Sequence, residues 1–265
     1  MPRNYKQNFI RVFAALLYRD LRFVFSQLPS RLLDGFFVVA VQTLAIGSFL
    51  PLLGMPPSLT GPLYIGTMTQ VMFSIAFTFA FRFAFDLKTD RFIEYELTLP
   101  LPKLWVIGKI IVSFMIQLAL IGLPLIFLGT IFLNKVFSLH NAQWGLSVVM
   151  YFLMLLFYSL LFIYLAFNYS YAWFTDNAWI RRLTPLFLLG SAYFTWYKVF
   201  AFNNFLAYFL LLNPLTYIHE GLRAALLGQE NFLNIWICIP VLIVFCGVMI
   251  VLLNRAVNKR LDPVL

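Results

Sequence analysis

Polar residues in this chain are bunched, and between the bunches run long stretches that hold almost none. Six such stretches stand out, at about 31–53, 62–85, 104–133, 143–168, 183–200 and 232–254. Each approaches or exceeds the roughly 18–20 residues a helix needs to cross a hydrocarbon core about 30 Å thick. The pattern predicts an all-α, polytopic membrane protein with six transmembrane helices. The third stretch is longer than a straight crossing requires, which predicts tilt or extension beyond the bilayer.

Two segments break this pattern. In residues 4–27, Phe9, Phe13, Leu16, Leu17 and Val24 fall on one helical face, and Arg11, Arg19 and Arg22 on the other. Such a helix lies in the interface with its arginines toward anionic headgroups. Residues 1–30 are therefore read as a cytoplasmic interfacial amphipathic helix, and residues 31–265 as the six-span domain. Asp20 projects to the apolar side. Either the helix distorts or ends there, or Asp20 is buried against a basic residue of another segment.

The second segment is residues 201–231. Its apolar lead-in, residues 205–212, would rise only about 12 Å as a helix. Asn213-Pro214 follows, and Pro214 both lacks a backbone donor and disfavours helix at Asn213, so a break is expected there. His219, Glu220 and Arg223 then appear among apolar residues. A polar, broken segment between spans lines a cavity or a gate, because open backbone cannot face lipid. This predicts two short re-entrant helices before the last span, with Asn213, Pro214, His219, Glu220 and Arg223 as the outer-gate residues. Glu220 and Arg223 are three apart and can pair. A structural pair is the favoured reading, with a gate or a substrate contact left open.

Composition agrees with the pattern. Hydrophobic residues make up 62% of the chain and charged residues 11%, against about 25% charged in soluble domains. The basic residues orient the spans. Arg3, Lys6, Arg11, Arg19, Arg22, Arg31, Arg82, Lys88, Arg91, Lys103, Lys109, Arg181, Arg182, Arg255, Lys259 and Arg260 fall on one side, and only Lys135, Lys198 and Arg223 on the other. That asymmetry predicts that both termini are cytoplasmic. The net charge of +9 is then mostly a topology signal, and its dispersal over span ends argues against nucleic acid as a partner. Residues 1–27 lack the apolar core of a secretory leader. Cys238 and Cys246, eight apart on one predicted helix, are too far apart to bridge, and no metal-ligand pattern is present.

The loop between the second and third spans mixes charge with aromatic residues: Lys88, Arg91, Phe92, Ile93, Glu94, Tyr95, Glu96 and Leu97, stopped by Pro100 and Pro102. A short surface helix with apolar anchors and a charged rim suits docking onto another protein. The chain has no phosphate-cradling loop, no His-Glu-x-x-His pair and no Gly-x-Ser-x-Gly elbow. It is therefore not expected to be an enzyme or to hold a cofactor. Few ionisable residues lie inside the predicted spans, which argues against a proton- or sodium-coupled carrier. That carrier, and a lipid-acting membrane enzyme, are the competing readings.

Two local motifs carry a resemblance. Glu94-Tyr95-Glu96-Leu97-Thr98-Leu99-Pro100 precedes Gly108-Lys109, and Asn213-Pro214-Leu215-Thr216 is followed by Arg223 and Gly228. Placed so in a six-span layout, they resemble the ABC-2 type permeases, the membrane subunits of ATP-driven exporters of polysaccharides, lipids and drugs. Tyr95 and Glu96 depart from that family, which more often has smaller or apolar residues there. The resemblance implies that residues 88–99 form a coupling helix docking on a separate ATPase subunit through Lys88, Arg91, Phe92, Glu94, Tyr95 and Glu96. It further implies that ATP and Mg bind that partner alone, that a second copy of the chain completes the pathway, and that the site is a bacterial cytoplasmic membrane.

Overall fold

The computed structural model describes residues 3–89, 95–96, 102–133 and 139–261. All regular structure among them is helical. Helix α1 (Arg3–Leu44) continues through a π-type stretch, Ala45–Phe49, and a final turn, Leu50–Leu52. The long helices α2 (Thr60–Asp86), α3 (Lys103–Phe132) and α4 (Trp144–Asn168) follow. Then come short pieces: α5 (Tyr171–Thr175), a π-type turn Trp179–Leu183 running into α6 (Thr184–Leu188), α7 (Trp196–Phe202), α8 (Asn204–Leu210) and α9 (Pro214–Leu227). Helix α10 (Ile235–Leu261) closes the chain.

Among the described residues five helical stretches are long and apolar enough to cross a membrane: Arg11–Leu44, Thr60–Asp86, Lys103–Ile131, Trp144–Asn168 and Ile235–Lys259. This is the architecture of an integral membrane protein. The predicted fifth stretch, 183–200, is not one helix. It ends as helix at Leu188, passes through turns around Gly190, and resumes only at Trp196. Ser191 there takes a left-handed φ of 60°. The interfacial helix expected at residues 1–30 and the first span also run together as one helix. Pro29 sits inside it without ending it, and Asp20 is no terminus.

Helices α2, α3, α4, α9 and α10 form the packed centre, and α1 lies along the outside against α3 and α2. Aromatic residues at four-residue spacing bolt α2 in place. Phe73 meets Phe162 of α4 at 4.9 Å and Phe77 meets Trp179 at 5.1 Å. Phe81 meets Tyr171 at 5.1 Å. Inside a bilayer, helices gain from close packing rather than from escaping water. Interlocked rings with edge-on and tilted geometry supply such packing, which accounts for many of the phenylalanines.

Candidate functional site

Helix α9 is the most enclosed element of the chain. All residues from Leu215 to Leu226 are buried, His219, Glu220 and Arg223 included. Its start is built locally. Pro214 occupies the first helical position, where a missing N–H costs nothing. Asn213 caps the helix, its side-chain oxygen accepting from the Leu215 N–H at 3.0 Å. The same amide donates to the Leu186 carbonyl at 2.6 Å, and Thr216 Oγ1 donates to the Leu210 carbonyl at 2.8 Å. The expected break between two short helices is present, stitched on both sides. Gly228 ends α9 with φ 102°, a conformation that suits glycine.

Arg223 gathers the surrounding chain. Its Nε donates to the Pro62 carbonyl at 3.0 Å, and Nη1 donates to those of Ser191 and Phe194 at 2.7 and 2.8 Å. Nη2 donates to the Ala192 carbonyl. Glu220 closes the arrangement. Its Oε1 accepts from Arg223 Nη1 and from the Trp196 N–H, each at 3.1 Å, and Oε2 accepts from the Leu233 N–H at 3.1 Å. His219 Nδ1 bonds the Gly190 carbonyl. Three side chains of one helix therefore supply partners to the irregular backbone around residues 190–196 and to the start of α10. Ala192 presses its carbonyl against α2 at Gly66, where any Cβ would lie 1.8 Å from that oxygen. Irregular backbone inside an apolar bundle survives only with such partners.

Helix α9 lies outside the five candidate spans. Burial, and then the Arg223 charge, push the His219 imidazole down to about 3, so the ring is neutral. Its Nε2 is buried with no partner among the described residues. The aromatic run at 193–197 divides by role. Trp196 is buried, donates from Nε1 to the Ala207 carbonyl at 2.9 Å and stacks on Phe200. Tyr193 and Tyr197 stay exposed.

A second polar cluster lies at the opposite end of α2. Lys109 Nζ contacts Asp20 at 2.8 Å and the two oxygens of Glu96 at 2.6 and 2.7 Å. Arg19 bridges the same two carboxylates, at 2.7 Å to Asp20 and 2.5 Å to Glu96. Of the two readings of Asp20, pairing with a basic residue of another segment is the one observed, with Asp20 itself partly exposed. Glu96, expected on the docking face, is 1% exposed, and its carboxylate ties α1 to α3. Tyr95, its neighbour, is 61% exposed. Lys88 is exposed and its ammonium stands over the Tyr171 ring at 5.6 Å. Arg91, Phe92 and Glu94 lie outside the described residues, as does most of the expected coupling helix at 88–99.

Among the described residues, no group of three or more His, Cys, Asp or Glu side chains could hold a metal ion. Cys238 and Cys246 are free and buried. Sequence reasoning missed the ion network at Lys109 and the role of the 190–196 backbone. The signal for the first was present in Asp20 and in the Gly108-Lys109 pair. No protein-family model, curated protein or solved structure matches this chain.

Proposed function

We propose that the chain is the membrane-embedded permease subunit of an ATP-driven exporter. It works paired with a second copy of itself, moves a lipid-linked, polysaccharide or amphipathic substrate outward, and draws energy from a separate nucleotide-binding ATPase. ATP and Mg belong to that partner. The membrane is a bacterial cytoplasmic one, with both termini inside and residues 201–231 outside.

The observation that carries this reading is the knot ahead of the last span. Asn213 caps, Pro214 starts, Arg223 gathers and Gly228 ends α9, and these residues belong to one of the two motifs on which the resemblance to ABC-2 permeases rests. Helices α8 and α9, with 7 and 14 residues, would rise only about 10 and 21 Å. In this reading they dip into the outer leaflet and return. Docking on the ATPase falls to the loop from Lys88 to Tyr95, with Lys109 and Glu96 anchoring its end to the bundle.

The charge pairing also favours an outside energy source. Asp20, Glu96 and Glu220 are each committed to Arg or Lys, whereas an ion-coupled carrier needs a carboxylate free to exchange its cation. One observation favours that second reading. Asp34 is exposed within the apolar stretch of α1 and makes no ion pair among the described residues.

The deciding experiment seeks a Walker-type ATPase encoded beside this gene and co-expresses it with the full chain. The reading expects a stable complex, no ATPase activity from this chain alone, and weaker association when Glu94 is replaced by Arg. Gradient-driven uptake by the purified chain without ATP, abolished by Asp34→Asn, would establish the carrier instead.

A further inference from the structure

A cavity of about 650 Å³ opens between α1, α2 and α3, at the end of the bundle where α2 finishes and α3 begins. Its polar lining falls into two unlike halves. In one half Arg19 and Lys109 face Asp20 and Glu96, and the charges cancel. In the other half stand Arg31 and Arg82, with Asp86 also on the lining, and among the described residues neither arginine is ion-paired to a carboxylate.

Arg31 Nη2 and Arg82 Nη1 both donate to one atom, the Gln27 side-chain oxygen, at 2.5 and 3.2 Å. Arg31 Nη1 also donates to Gln117 Oε1 at 3.2 Å, and Gln117 is itself held by Ser113. The Arg31 guanidinium stands over the Phe79 ring, 4.4 Å from its centre. Among the described residues neither arginine makes an ion pair. Among the described residues Asp34, one turn along α1 from Arg31, forms no ion pair with either arginine.

Two like charges converging on one neutral oxygen repel each other, and the repulsion grows where the walls are apolar. Here the walls include Val24, Phe79, Phe83 and Phe114. Each guanidinium carries five N–H donors in a planar fork. Among the described residues Arg31 and Arg82 together make three hydrogen bonds. The stacking on Phe79 and the two glutamines fix the direction of the remaining donors of Arg31 before any ligand arrives.

We propose that this half of the cavity is a binding site for a phosphate-type oxyanion of the kind an anionic lipid headgroup carries. Arg31 and Arg82 are its ligands, and Gln27 sets their spacing. A phosphate presents several acceptor oxygens to two forks at once, a geometry that a single amide oxygen cannot satisfy. The apolar walls accommodate the glycerol or first methylenes of an amphiphile. The site does not rest on the transport reading: a chain that never met an ATPase would keep it.

The test uses the purified full chain, stripped of lipid and offered phosphatidic acid, phosphatidylcholine or inorganic phosphate, with retention read by native mass spectrometry. Wild type should retain phosphatidic acid in preference to phosphatidylcholine. Arg31→Gln with Arg82→Gln should lower that retention about tenfold or more, the loss expected for charge-assisted hydrogen bonds. Arg255→Gln with Lys259→Gln removes the same charge from exposed positions of α10 and should leave retention unchanged. Gln27→Glu is the sharper variant. It supplies the missing countercharge, so it should preserve or raise thermal stability while expelling the lipid. If the double variant fails to fold, Gln27→Glu and the single change Arg82→Gln, at an exposed position, carry the test. Competition by millimolar inorganic phosphate would assign the site to small oxyanions, and its absence to the lipid headgroup. Equal retention of phosphatidylcholine by wild type, or full retention of phosphatidic acid by Gln27→Glu, overturns the proposal.

Discussion

Arg223 Nη1 lies 3.1 Å from Glu220 Oε1, one turn apart on α9, and neither side chain has any exposed surface. The pair is not isolated. Arg223 also satisfies four backbone carbonyls and Glu220 two backbone N–H groups. Removing one partner of a buried ion pair costs on the order of 3–5 kcal/mol. Arg223→Ala should therefore reach or exceed that range, because the carbonyls at 191, 192 and 194 lose their donor as well. Arg223→Lys keeps the charge but cannot fork to four acceptors, so it should fall between Ala and wild type. Thermal unfolding in detergent, followed by tryptophan fluorescence, checks the order. Equal melting of Arg223→Lys and wild type would mean that charge alone matters.

Lys109 is the centre of the other polar cluster, held by two carboxylates from different segments. Lys109→Met should leave Arg19 alone to offset both Asp20 and Glu96 and loosen α1 on α3. Lys109→Glu combined with Glu96→Lys should recover part of the loss, with a coupling of about 0.5–3 kcal/mol between the two sites. A double-mutant cycle on chemical unfolding measures it. Additive effects would show that the contacts are incidental. Substitutions at Glu96 are accordingly poor probes of docking, since they act on the bundle first.

Asn213 and Pro214 mark the same break but contribute unequally to it. Pro214 sits where no backbone donor is required, and Asn213 with Thr216 already stitches the junction, so Pro214→Ala should cost little. Asn213→Ala should cost about 1 kcal/mol as a lost cap, and more because the Leu186 carbonyl loses its donor. Melting temperatures and export assays on the two variants should rank Asn213→Ala as the more harmful. The reverse ranking would mean that the rigid ring, not the cap, holds the break open.

The topology can be checked with single cysteines. Cys238 and Cys246 are buried, so background labelling by a membrane-impermeant maleimide should be small. Glu230→Cys should react in sealed cells, whereas Thr89→Cys should react only after the membrane is opened. Both positions are exposed in the fold, which leaves sidedness as the variable. Labelling of position 89 from outside would reverse the orientation read from the basic residues.

Four of the six expected stretches were legible because each holds its own backbone bonds and needs only length and apolarity. The break at Asn213-Pro214 was legible because its cause is local. The stretch 183–200 misled for the opposite reason. Its side chains are apolar enough, but its carbonyls are claimed by Arg223 and His219 from a helix roughly 30 residues further on, and hydropathy carries no term for a distant donor. The same holds for Glu96. A glutamate in a charged loop looks solvated until Lys109, one helix later, is seen to draw it inward. The pairing of Arg31 with Arg82 across Gln27 left no trace in the sequence at all, since 51 residues separate the two arginines and only packing brings them together.

The reach of Arg223 bears on how the chain is made. It joins Pro62 across 161 residues, and by the time residue 223 leaves the ribosome the helices from α1 to α8 are already synthesised. Until then the carbonyls of Gly190, Ser191, Ala192 and Phe194 lack the donors that His219 and Arg223 bring. Biogenesis must keep that stretch wet or shielded, and the seam closes only once α9 has been made. A chain arrested or truncated before α9 would therefore present an unfinished, hydrogen-bond-hungry seam, which distinguishes it from the finished product for any quality-control machinery in the membrane.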